Sequence, residues 1–398
     1  MSGIRLHILG IPHTITRNDF SHCAFTGKVL RFAPMMRSRG FEVYHYGVEG
    51  SESGADKDVQ LLTVDEWQKL RVDSYIKLKP EVTKEDAEKK LADPTQFVGD
   101  LGNWSTPLYE EFSNRLYPAL LEHYRSSKTD IVCIPFGRTH DRALDKIPNL
   151  VIVESGIGYP NSYRGYRIFE SYAKMHSQLG SDKSWGKNYW FVCPNYFDSR
   201  EWPLSLTPHV DTVGFLGRIY DGKGCNIIPE IAKRMPTVRF ILCGQGDPSK
   251  YLTSPNIHYK PPIHGEERAK YLGSLQAILA PTGFVEPFCG VVVEAQLCGT
   301  PAITVEYGAQ TETVEPFKTG MMCHTLQDFC LGVQMAVDGK FDRAYIRERA
   351  VRLYDMMNVA RRYEYAFRSI LDVHNGKGGW YSPVSHIEVL NEQSTRSE

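Results

Sequence analysis

The 398-residue sequence has no apolar run close to the roughly 18 residues that a membrane-spanning helix needs. Its first residues hold one arginine, a short apolar run and then Pro12, so we expect no signal peptide and a cytoplasmic protein. Lysine and arginine number 46 and aspartate and glutamate 47, which leaves a net charge of −1. This balance argues against nucleic acid as the partner without excluding it, because duplex binding normally needs many cationic contacts to phosphate.

Cysteine is present but carries no metal-site pattern. The nine cysteines are scattered, odd in number and include no C-x-x-C pair. We therefore predict free thiols that pack as small apolar residues in a reducing compartment. No His/Cys spacing fits a structural zinc site and no convincing D-x-D motif occurs, so we predict no metal site.

Short apolar strands alternate with amphipathic helices along two stretches of the chain. The first stretch predicts one helix, five strands and an acidic loop: Thr26–Arg37; Ile4–Leu9, Phe41–Tyr46, Ile131–Pro135, Leu150–Val153 and Phe191–Pro194; and residues 49–60. After a polar linker at 195–208, the second stretch predicts four strands and five helices: Thr212–Leu216, Val238–Cys243, Ala277–Ala280 and Ala302–Val305; Ile227–Met235, Glu266–Leu275, Gly290–Leu297, Leu326–Val337 and Arg343–Val373.

This alternation predicts an α/β protein with two Rossmann-like domains, each built on a parallel sheet. Ligands of such sheets bind beyond the carboxyl ends of the strands, so we expect the two sheets to face one another across a ligand-binding interdomain cleft. The predicted N-terminal domain is 1–205, joined by a C-terminal helix at about 355–385. The second domain is 206–354, and 386–398 is a flexible tail.

The first chemical constellation is the segment GRIYDGKG, which starts at Gly217 directly after a predicted strand. Glycines allow close backbone approach to a ligand, and Arg218 and Lys223 supply two positive charges, which suits a diphosphate. The segment also matches the first seven positions of a Walker A motif, but Gly224 replaces the Mg²⁺-binding hydroxyl. A glycine-rich turn with two solvated cations is the third interpretation.

The second constellation runs from Pro281 to Ala295 and again joins a predicted strand to a helix. The backbone amides near Cys289 to Val291 predict an anion site at the start of that helix. Glu294 has apolar neighbours, and a sugar diol would explain an inward-facing carboxylate there. The alternative places Glu294 on the exposed face and Glu286 as an ordinary loop carboxylate.

These segments together resemble the family 4 glycosyltransferases. Glu286 and Glu294 are separated by seven residues, as in the E-x7-E motif of retaining enzymes with the GT-B fold. Residues 299–303, GTPAI, resemble that family's G-T-P-V-V stretch. Residues 305–308 followed by Glu312 resemble its glycine-containing loop near the phosphates. The resemblance is specific over about 214–314 and only architectural over the first 200 residues.

The resemblance implies a retaining transferase that moves a sugar from a UDP- or GDP-sugar to a hydroxyl of a glycan, lipid or small molecule. No metal or other cofactor would be obligatory. Arg218 and Lys223 would clamp the diphosphate and stabilise the leaving group, Glu294 would bind the ribose, and Glu286 would contact the donor sugar. The other implied donor-binding residues are Gly217, Gly244, Gly246, Pro262, Phe288, Cys289, Gly290 and Val291.

Two departures from the family pattern concern the site. The family's E-x-F-G stretch is EPFC here, with Cys289 in the glycine position and glycine one residue later. The family's histidine near the reacting sugar carbon is absent from residues 151–158. Either Glu154 takes that place or it is a carboxylate that caps a loop. The predicted acceptor-binding residues of the N-terminal domain are Gly10, His13, His140, Gly156, Tyr159 and Arg164.

Three other functions compete with this hypothesis. One is transfer to a hydroxymethylated DNA base, which the near-zero net charge does not favour. Another is glycoside hydrolysis with Glu286 and Glu294 as the acid/base pair. The last is a non-catalytic nucleotide-sugar-binding protein.

Overall fold

The computed structural model describes residues 3–21, 23–93 and 98–391, and the chain divides into two compact units. Unit 1 consists of Met1–Phe169, Ser184–Cys193 and Ala360–Glu398. Unit 2 consists of Glu170–Lys183 and Pro194–Val359. The domain bounds inferred from the sequence stay a prediction, and the contacts group residues 170–183 with unit 2. Most of the predicted tail, 392–398, lies outside the described residues.

Unit 1 is built on a parallel sheet of seven strands in the order β3-β2-β1-β4-β5-β6-β7. The strands are β1 Arg5–Leu9, β2 Glu42–Val48, β3 Lys57–Leu62, β4 Asp130–Ile134, β5 Ile152–Ile157, β6 Tyr166–Phe169 and β7 Trp190–Val192. All five residues of β4 are buried, as expected for a central strand covered on both faces. The strand order reverses between β1 and β4, and this switch point is where Rossmann-like sheets bind ligands.

The helices of the N-terminal part of unit 1 cover the sheet with apolar faces. They are α1 Ala24–Arg37, α2 Val64–Leu78, α3 Lys84–Lys90, α4 Pro107–His123 and α5 Asp141–Leu144. Leu108, Phe112 and Leu116 of α4 are fully buried at helical spacing in the same core cluster as Val132 and Ile134 of β4. The next helix along the chain, α6 Tyr172–Asp182, belongs to unit 2.

Unit 2 repeats the architecture with a parallel sheet of six strands in the order β10-β9-β8-β11-β12-β13. The strands are β8 Thr212–Leu216, β9 Arg239–Cys243, β10 Ile257–Lys260, β11 Ala277–Ala280, β12 Ala302–Val305 and β13 Gly320–Cys323. The helices that follow α6 in this unit are α7 Ile228–Arg234, α8 Gly265–Ser274, α9 Gly290–Leu297, α10 Gln310–Thr313, α11 Leu326–Val337 and α12 Arg343–Tyr354. Its switch point lies between β8 and β11. The predicted pair of Rossmann-like domains is confirmed.

The segment Arg343–Val373, predicted as one helix, forms two helices, because the helical conformation is interrupted at Asp355. The second one, α13 Met356–His374, runs from unit 2 into unit 1, and a short helix, α14 Glu388–Asn391, follows. Asp355 has an extended backbone, and its carboxylate accepts hydrogen bonds from the amides of Met357 (3.0 Å) and Ser199 (3.3 Å). It therefore acts as the N-cap of α13.

Two other predictions about local structure are wrong. Residues 57–60, predicted as loop, form most of β3, a polar edge strand whose register follows β2. The stretch 195–208, predicted as a linker, packs into unit 2, because Phe197 and Trp202 are buried in its core. The prediction of free thiols is confirmed: all nine cysteines are described and unpaired, and eight are buried. Among the described residues, no helix is both long and apolar enough to cross a bilayer.

Candidate functional site

The loops after β8, β9 and β11 meet backbone against backbone at the switch point of unit 2. The amide of Gly217 donates to the carbonyl of Cys243 (3.0 Å). Gly244 has φ +147°, and a Cβ there would lie 1.7 Å from the Gly217 oxygen. Gly224 has φ +77°, and a Cβ there would lie 2.0 Å from the Pro281 oxygen. The glycines predicted for ligand approach are thus also required for packing between the loops.

The cationic loop forms a tight turn instead of opening a helix at once. Residues Asp221–Lys223 make a single 3₁₀ turn, and α7 begins only at Ile228. Asp221 anchors the turn by accepting from Lys250 Nζ (2.9 Å) and Tyr251 Oη (2.8 Å). Arg218 is exposed, with its guanidinium 5.6 Å from the centre of the Tyr220 ring. The charge of this segment therefore comes from side chains, without help from a helix N-terminus.

Lys223 and Glu286 form an ion pair between the loops that follow β8 and β11. The ammonium of Lys223 donates to Oε1 of Glu286, which also accepts from Thr282 Oγ1 (3.2 Å). Glu286 is 5% exposed, so the pair is largely shielded from water. Oε2 of Glu286 has no hydrogen-bond partner among the described residues. The carboxylate thus has one oxygen held by the protein and one that is open only in the sense that it has no protein hydrogen-bond partner among those residues.

The loop that carries Glu286 is fixed by the loop after β12. Tyr307 Oη donates to the Thr282 carbonyl (2.5 Å), and the amide of Ala309 donates to the Glu286 carbonyl (3.0 Å). Gly308 has φ +68°, and a Cβ there would lie 2.9 Å from the Glu286 nitrogen. These contacts explain why a glycine-containing loop follows β12 in this sequence.

Cys289 occupies a backbone conformation that glycine normally takes. It is the N-cap of α9 with φ +62° and ψ +66°, in the left-handed region. Burial raises the pKa of its thiol to about 12, so Cys289 is no nucleophile near neutral pH. Gly290 and Val291 begin α9, as predicted. Cys289 thus adopts a left-handed turn although it is not glycine.

Glu294 is held by an arginine that the sequence analysis did not single out. Nε and Nη2 of Arg268, on α8, donate to Oε2 of Glu294 at 2.8 and 2.5 Å. The two side chains are 29% and 14% exposed. Oε1 of Glu294 has no hydrogen-bond partner within the described ranges. Helical spacing could not predict this ion pair, because Arg268 and Glu294 lie on different helices.

The other predicted donor residues fall into two groups. Gly246, at φ +134°, packs its backbone against Ile219, and Pro262 is exposed near the end of β10. Phe288 is different: it is 3% exposed, with its ring 6.3 Å from Phe197 and 5.8 Å from Tyr354. It therefore positions the Glu286 loop from the core of unit 2 and offers no surface to a ligand.

Glu154, in β5 of unit 1, caps a loop. It is fully buried and accepts hydrogen bonds from Tyr159 Oη (2.8 Å) and from the amides of Tyr163 (2.7 Å) and Arg164 (2.6 Å). Burial raises the pKa of this carboxyl above its ordinary value, although these hydrogen bonds oppose the shift. The contacts match the capping alternative and leave neither oxygen without a protein partner.

The other predicted acceptor residues surround the switch point of unit 1. The Gly10 amide donates to Tyr46 (2.8 Å), the His13 ring nitrogen lies 2.7 Å from Tyr109 Oη, and Lys28 Nζ donates to the Gly156 carbonyl (3.1 Å). Arg164 pairs with Asp141 at 2.7 Å. Tyr159 is 6% exposed.

His140 is 1% exposed, and its ring centre lies 5.7 Å from that of Phe112. Burial lowers the pKa of the His140 imidazole to about 3, so this ring is neutral at physiological pH. Both ring nitrogens of His140 are buried without a hydrogen-bond partner within the described ranges, whereas Tyr159 and Glu154 are bonded to one another.

Comparison with known proteins agrees with the geometry of unit 2. Residues 210–334 match the family model described as Glycosyl transferases group 1. The chain is 24% identical over 206 residues to a phosphatidylinositol N-acetylglucosaminyltransferase subunit of Arabidopsis thaliana. It is 28% identical over 133 residues to the D-inositol 3-phosphate glycosyltransferase of a Mycobacterium species, strain KMS. These matches cover 46% and 30% of this chain and only 45% and 30% of the relatives.

Similarity to solved structures extends over both units. The Anabaena protein HepE, solved in complex with UDP and glucose, has a TM-score of 0.62 and 14% identity. That likeness covers 92% of this chain and all of HepE. At this identity the likeness concerns the fold, which is the two-Rossmann-domain GT-B fold. Residues 210–334 of this chain are thus similar to group 1 glycosyltransferase domains, set within a chain of GT-B fold.

Proposed function

We propose that this chain is a retaining glycosyltransferase that moves a sugar from a nucleoside diphosphate sugar to an acceptor hydroxyl. One observation carries the proposal: Glu286 and Glu294 each have one oxygen held by a cation and one oxygen without a protein partner in the described part of the chain, and Glu286 is paired with Lys223 of the glycine-rich turn of unit 2. Open carboxylate oxygens accept hydrogen bonds from sugar hydroxyls. The matched family model and the likeness to HepE support a nucleotide-sugar donor.

Within this proposal, unit 2 binds the donor. Glu294, oriented by Arg268, accepts from the ribose hydroxyls, and Glu286 accepts from the donor sugar. Arg218 and Lys223 face the diphosphate, where the backbone amides of Cys289 to Val291 supply neutral donors. These residues require no metal ion, and the reaction proceeds without an obligatory cofactor.

The reaction is a substitution at the anomeric carbon. The acceptor oxygen attacks from the face that the diphosphate leaves, and the bond between the anomeric carbon and the phosphate oxygen breaks with its electron pair on the phosphate. The acceptor proton passes to that phosphate oxygen. Because the new bond forms on the face from which the diphosphate departs, the anomeric configuration is retained. Two cations near the leaving group stabilise the charge that grows on it, which is where electrostatic catalysis is most effective.

The acceptor is the least constrained part of the proposal. The two relatives compared above are named for phosphatidylinositol and inositol 3-phosphate, so an acceptor panel begins with inositol phosphates and phosphatidylinositol. Glycans and small-molecule alcohols complete the panel, and duplex DNA with hydroxymethylated bases tests the nucleic-acid alternative. The anomeric configuration of the product, measured by NMR, tests retention.

Nucleotide binding is the first experiment. Thermal unfolding is followed with UDP, GDP, ADP and UDP-sugars, since a ligand at one hundred times its Kd adds about 2.7 kcal/mol to the free energy of unfolding. We expect a rise in Tm with one of the diphosphates, lost in Glu294→Gln and Lys223→Met. Lys233→Met is the matched control, because Lys233 is exposed on α7 and pairs with Glu230 of the same helix.

Each outcome decides between the alternatives. A rise in Tm together with sugar transfer supports the transferase. A rise without transfer to any acceptor, or slow hydrolysis of the donor, favours the non-catalytic binding protein. No rise with any nucleotide at millimolar concentration contradicts the proposal and returns glycoside hydrolysis to first place.

A further inference from the structure

The loop that follows β1, residues 10–16, presents a single side chain. Six of its seven residues are buried, and His13 is the one that is partly exposed. Strand β1 borders the switch point of unit 1, so its carboxyl end is where this sheet can meet a ligand. The shape of this β1 loop therefore decides where the His13 ring stands.

The middle of the β1 loop is anchored by two helices. Nε1 of Trp67, in α2, donates to the Pro12 carbonyl (2.7 Å). The Oγ1 atoms of Thr14 and of Thr26, in α1, are 2.6 Å apart. Because both hydrogen bonds are buried, water does not compete for them, and they hold the backbone on both sides of His13.

The His13 ring itself is oriented by a third helix. Its Nδ1 lies 2.7 Å from Oη of Tyr109, in α4, and its Nε2 lies 3.5 Å from Sγ of Cys23. A thiol is a weak hydrogen-bond partner, whereas a phenol is a strong one. Nε2 is therefore the atom of the ring that can exchange its contact for a hydroxyl of a ligand.

The base of the β1 loop is held by the imidazole of His45, a fully buried residue of β2. A Cβ on Gly10 would lie 2.9 Å from Nε2 of His45, so the ring packs directly against the first residue of the loop. The same Nε2 lies 3.0 Å from Oγ1 of Thr16, the last residue of the loop. One ring therefore contacts both ends of the loop.

The orientation of the His45 ring is set by Asp58, in β3. Nδ1 of His45 lies 2.7 Å from Oδ1 of Asp58, which also accepts from Ser53 Oγ (2.7 Å). Burial tends to raise the pKa of the Asp58 carboxyl, but the hydrogen bonds from His45 and Ser53 lower it below its ordinary value. An ionised carboxylate only accepts, so Nδ1 of His45 carries a proton and Nε2 is left for Thr16.

A hydroxyl, an imidazole and a carboxylate in this order also make up a nucleophilic triad. Thr16 is 3% exposed, however, and His45 is 0% exposed. A nucleophile must reach its substrate, so this burial assigns the three groups to holding the loop and not to a reaction of their own.

We propose that His45 is a positioning residue for acceptor binding, because it holds both ends of the β1 loop so that His13 meets the acceptor. This inference rests on the proposed transferase function, with the acceptor on unit 1. A loop that is ordered before binding loses little entropy when its ligand arrives. Loss of the contact between His45 and Thr16 therefore raises KM for the acceptor and leaves nucleotide binding by unit 2 unchanged.

The test measures kcat and KM for the acceptor with the full chain and with the member of the acceptor panel that the wild type uses best. We expect Thr16→Val and His45→Asn each to raise KM about tenfold and to change kcat less than about threefold. The double variant should raise KM no further, since both changes remove the same contact.

The two amide replacements of His45 separate its two hydrogen bonds. The amide of asparagine reaches the position of Nδ1 and keeps only the bond to Asp58. The longer amide of glutamine reaches the position of Nε2, next to Thr16. We therefore expect His45→Gln to restore most of the affinity for the acceptor that His45→Asn loses.

Ser53→Ala is the matched control, because it removes the other hydrogen bond to Asp58 without removing a hydrogen bond of the β1 loop. It should lower the free energy of unfolding without changing KM. Urea unfolding of each variant identifies a protein that does not fold. Should His45→Asn fail to fold, the milder Thr16→Val decides the question.

Three results overturn the inference. The first is transfer by the wild type with an unchanged KM in Thr16→Val, which leaves the transferase function standing. The second is an equal rise of KM in Ser53→Ala, which would make lost stability the cause. The third is transfer by the wild type to no acceptor of the panel, in which case the proposed function fails first and the role of His45 fails with it.

Discussion

The switch points of the two sheets have the same topology but different chemistry. In unit 2, Glu286 and Glu294 each face a cation and keep one oxygen open. In unit 1, Glu154 is fully buried and bonded to its own loop, and His140 is buried beside Phe112. The comparison teaches that strand order fixes where a ligand can bind, whereas the loops decide which charged groups stand there and how they are paired.

Substitution of Glu286 in unit 2 should have the largest effect of the changes considered, a decrease in kcat. Glu286→Gln keeps the shape of the side chain but removes the charge that faces Lys223. We expect kcat for sugar transfer to fall by about 100-fold or more, the range found when one electrostatic contact to a transition state is removed. The diphosphate should still raise Tm.

Glu267→Gln is the control, because Glu267 pairs with Lys260 at an exposed position. Near-normal turnover by Glu286→Gln would show that the open oxygen has no part in the reaction.

The second prediction concerns the burial of His140 in unit 1 and its effect on how stability depends on pH. Burial holds the pKa of His140 at about 3, well below its ordinary value, so the unfolded chain binds a proton that the folded chain does not. The stability due to neutral His140 is present above about pH 6.5 and is lost as the pH falls toward the folded pKa. In His140→Gln this loss is absent. The difference in unfolding free energy between wild type and variant should shrink by about 2 kcal/mol from pH 7.5 to pH 5.

Urea unfolding at the two pH values measures this difference. His258→Gln, at an exposed position of β10, is the control. A pH-independent difference for His140→Gln would mean that the ring titrates normally in the folded state.

A third, smaller effect tests how Glu294 is oriented. Arg268→Met removes both hydrogen bonds to Oε2 but leaves the carboxylate in place. We expect nucleotide affinity to fall by about tenfold, because the carboxylate must then be ordered by the ligand itself. Calorimetric titration with the diphosphate measures the change. Lys270→Met removes an exposed ion pair of the same helix and should leave nucleotide affinity unchanged. If it weakens binding as much as Arg268→Met, the cause is the loss of a positive charge and not the orientation of Glu294.

The smallest effect is expected at Cys289. Cys289→Gly removes the energetic cost of a left-handed backbone conformation. It also removes a buried side chain and increases the entropy of the unfolded chain. Because these effects oppose one another, the free energy of unfolding should change by less than about 1 kcal/mol. Cys289→Val, with a branched side chain at the same φ, should lose about 2 kcal/mol or more. Urea unfolding of both variants measures the contrast. If Cys289→Gly is strongly destabilised, packing of the Cys289 side chain stabilises the fold by more than its left-handed backbone conformation costs.

Most buried parallel elements could be predicted from the sequence. Three strands of unit 2, Thr212–Leu216, Ala277–Ala280 and Ala302–Val305, and the helix Gly290–Leu297 lie where the apolar pattern places them. These strands are buried along their whole length and consist mostly of apolar residues, so the apolar pattern identifies them. Strand β3 was missed because it lies at a sheet edge and three of its first four residues, Lys57, Asp58 and Gln60, are polar.

The site was predictable only as far as it follows local sequence. The positions of Lys223 and Glu286 in loops that follow strands, and of Glu294 in the helix α9, follow from the motifs and the topology. The ion pair from Arg268 was not predictable, because it joins residues 26 apart on two helices. The burial of Phe288 could not be predicted either. One of its partners, Phe197, lies in a stretch that was predicted to be a linker, and the other, Tyr354, ends helix α12.

The chain passes between the two units four times, and this affects the order in which they can be completed during synthesis. Unit 2 has all of its segments once residue 359 has been made, although unit 1 begins the chain. Unit 1 needs α13, whose Glu364 pairs with Arg39 at 2.5 Å and whose Phe367 packs on Phe32 and Phe41. Unit 1 is therefore completed last, and a ribosome that stalls before α13 has been made leaves Phe32, Arg39 and Phe41 without these contacts. For the same reason, a chimera made with any single junction between residues 169 and 360 would divide unit 1.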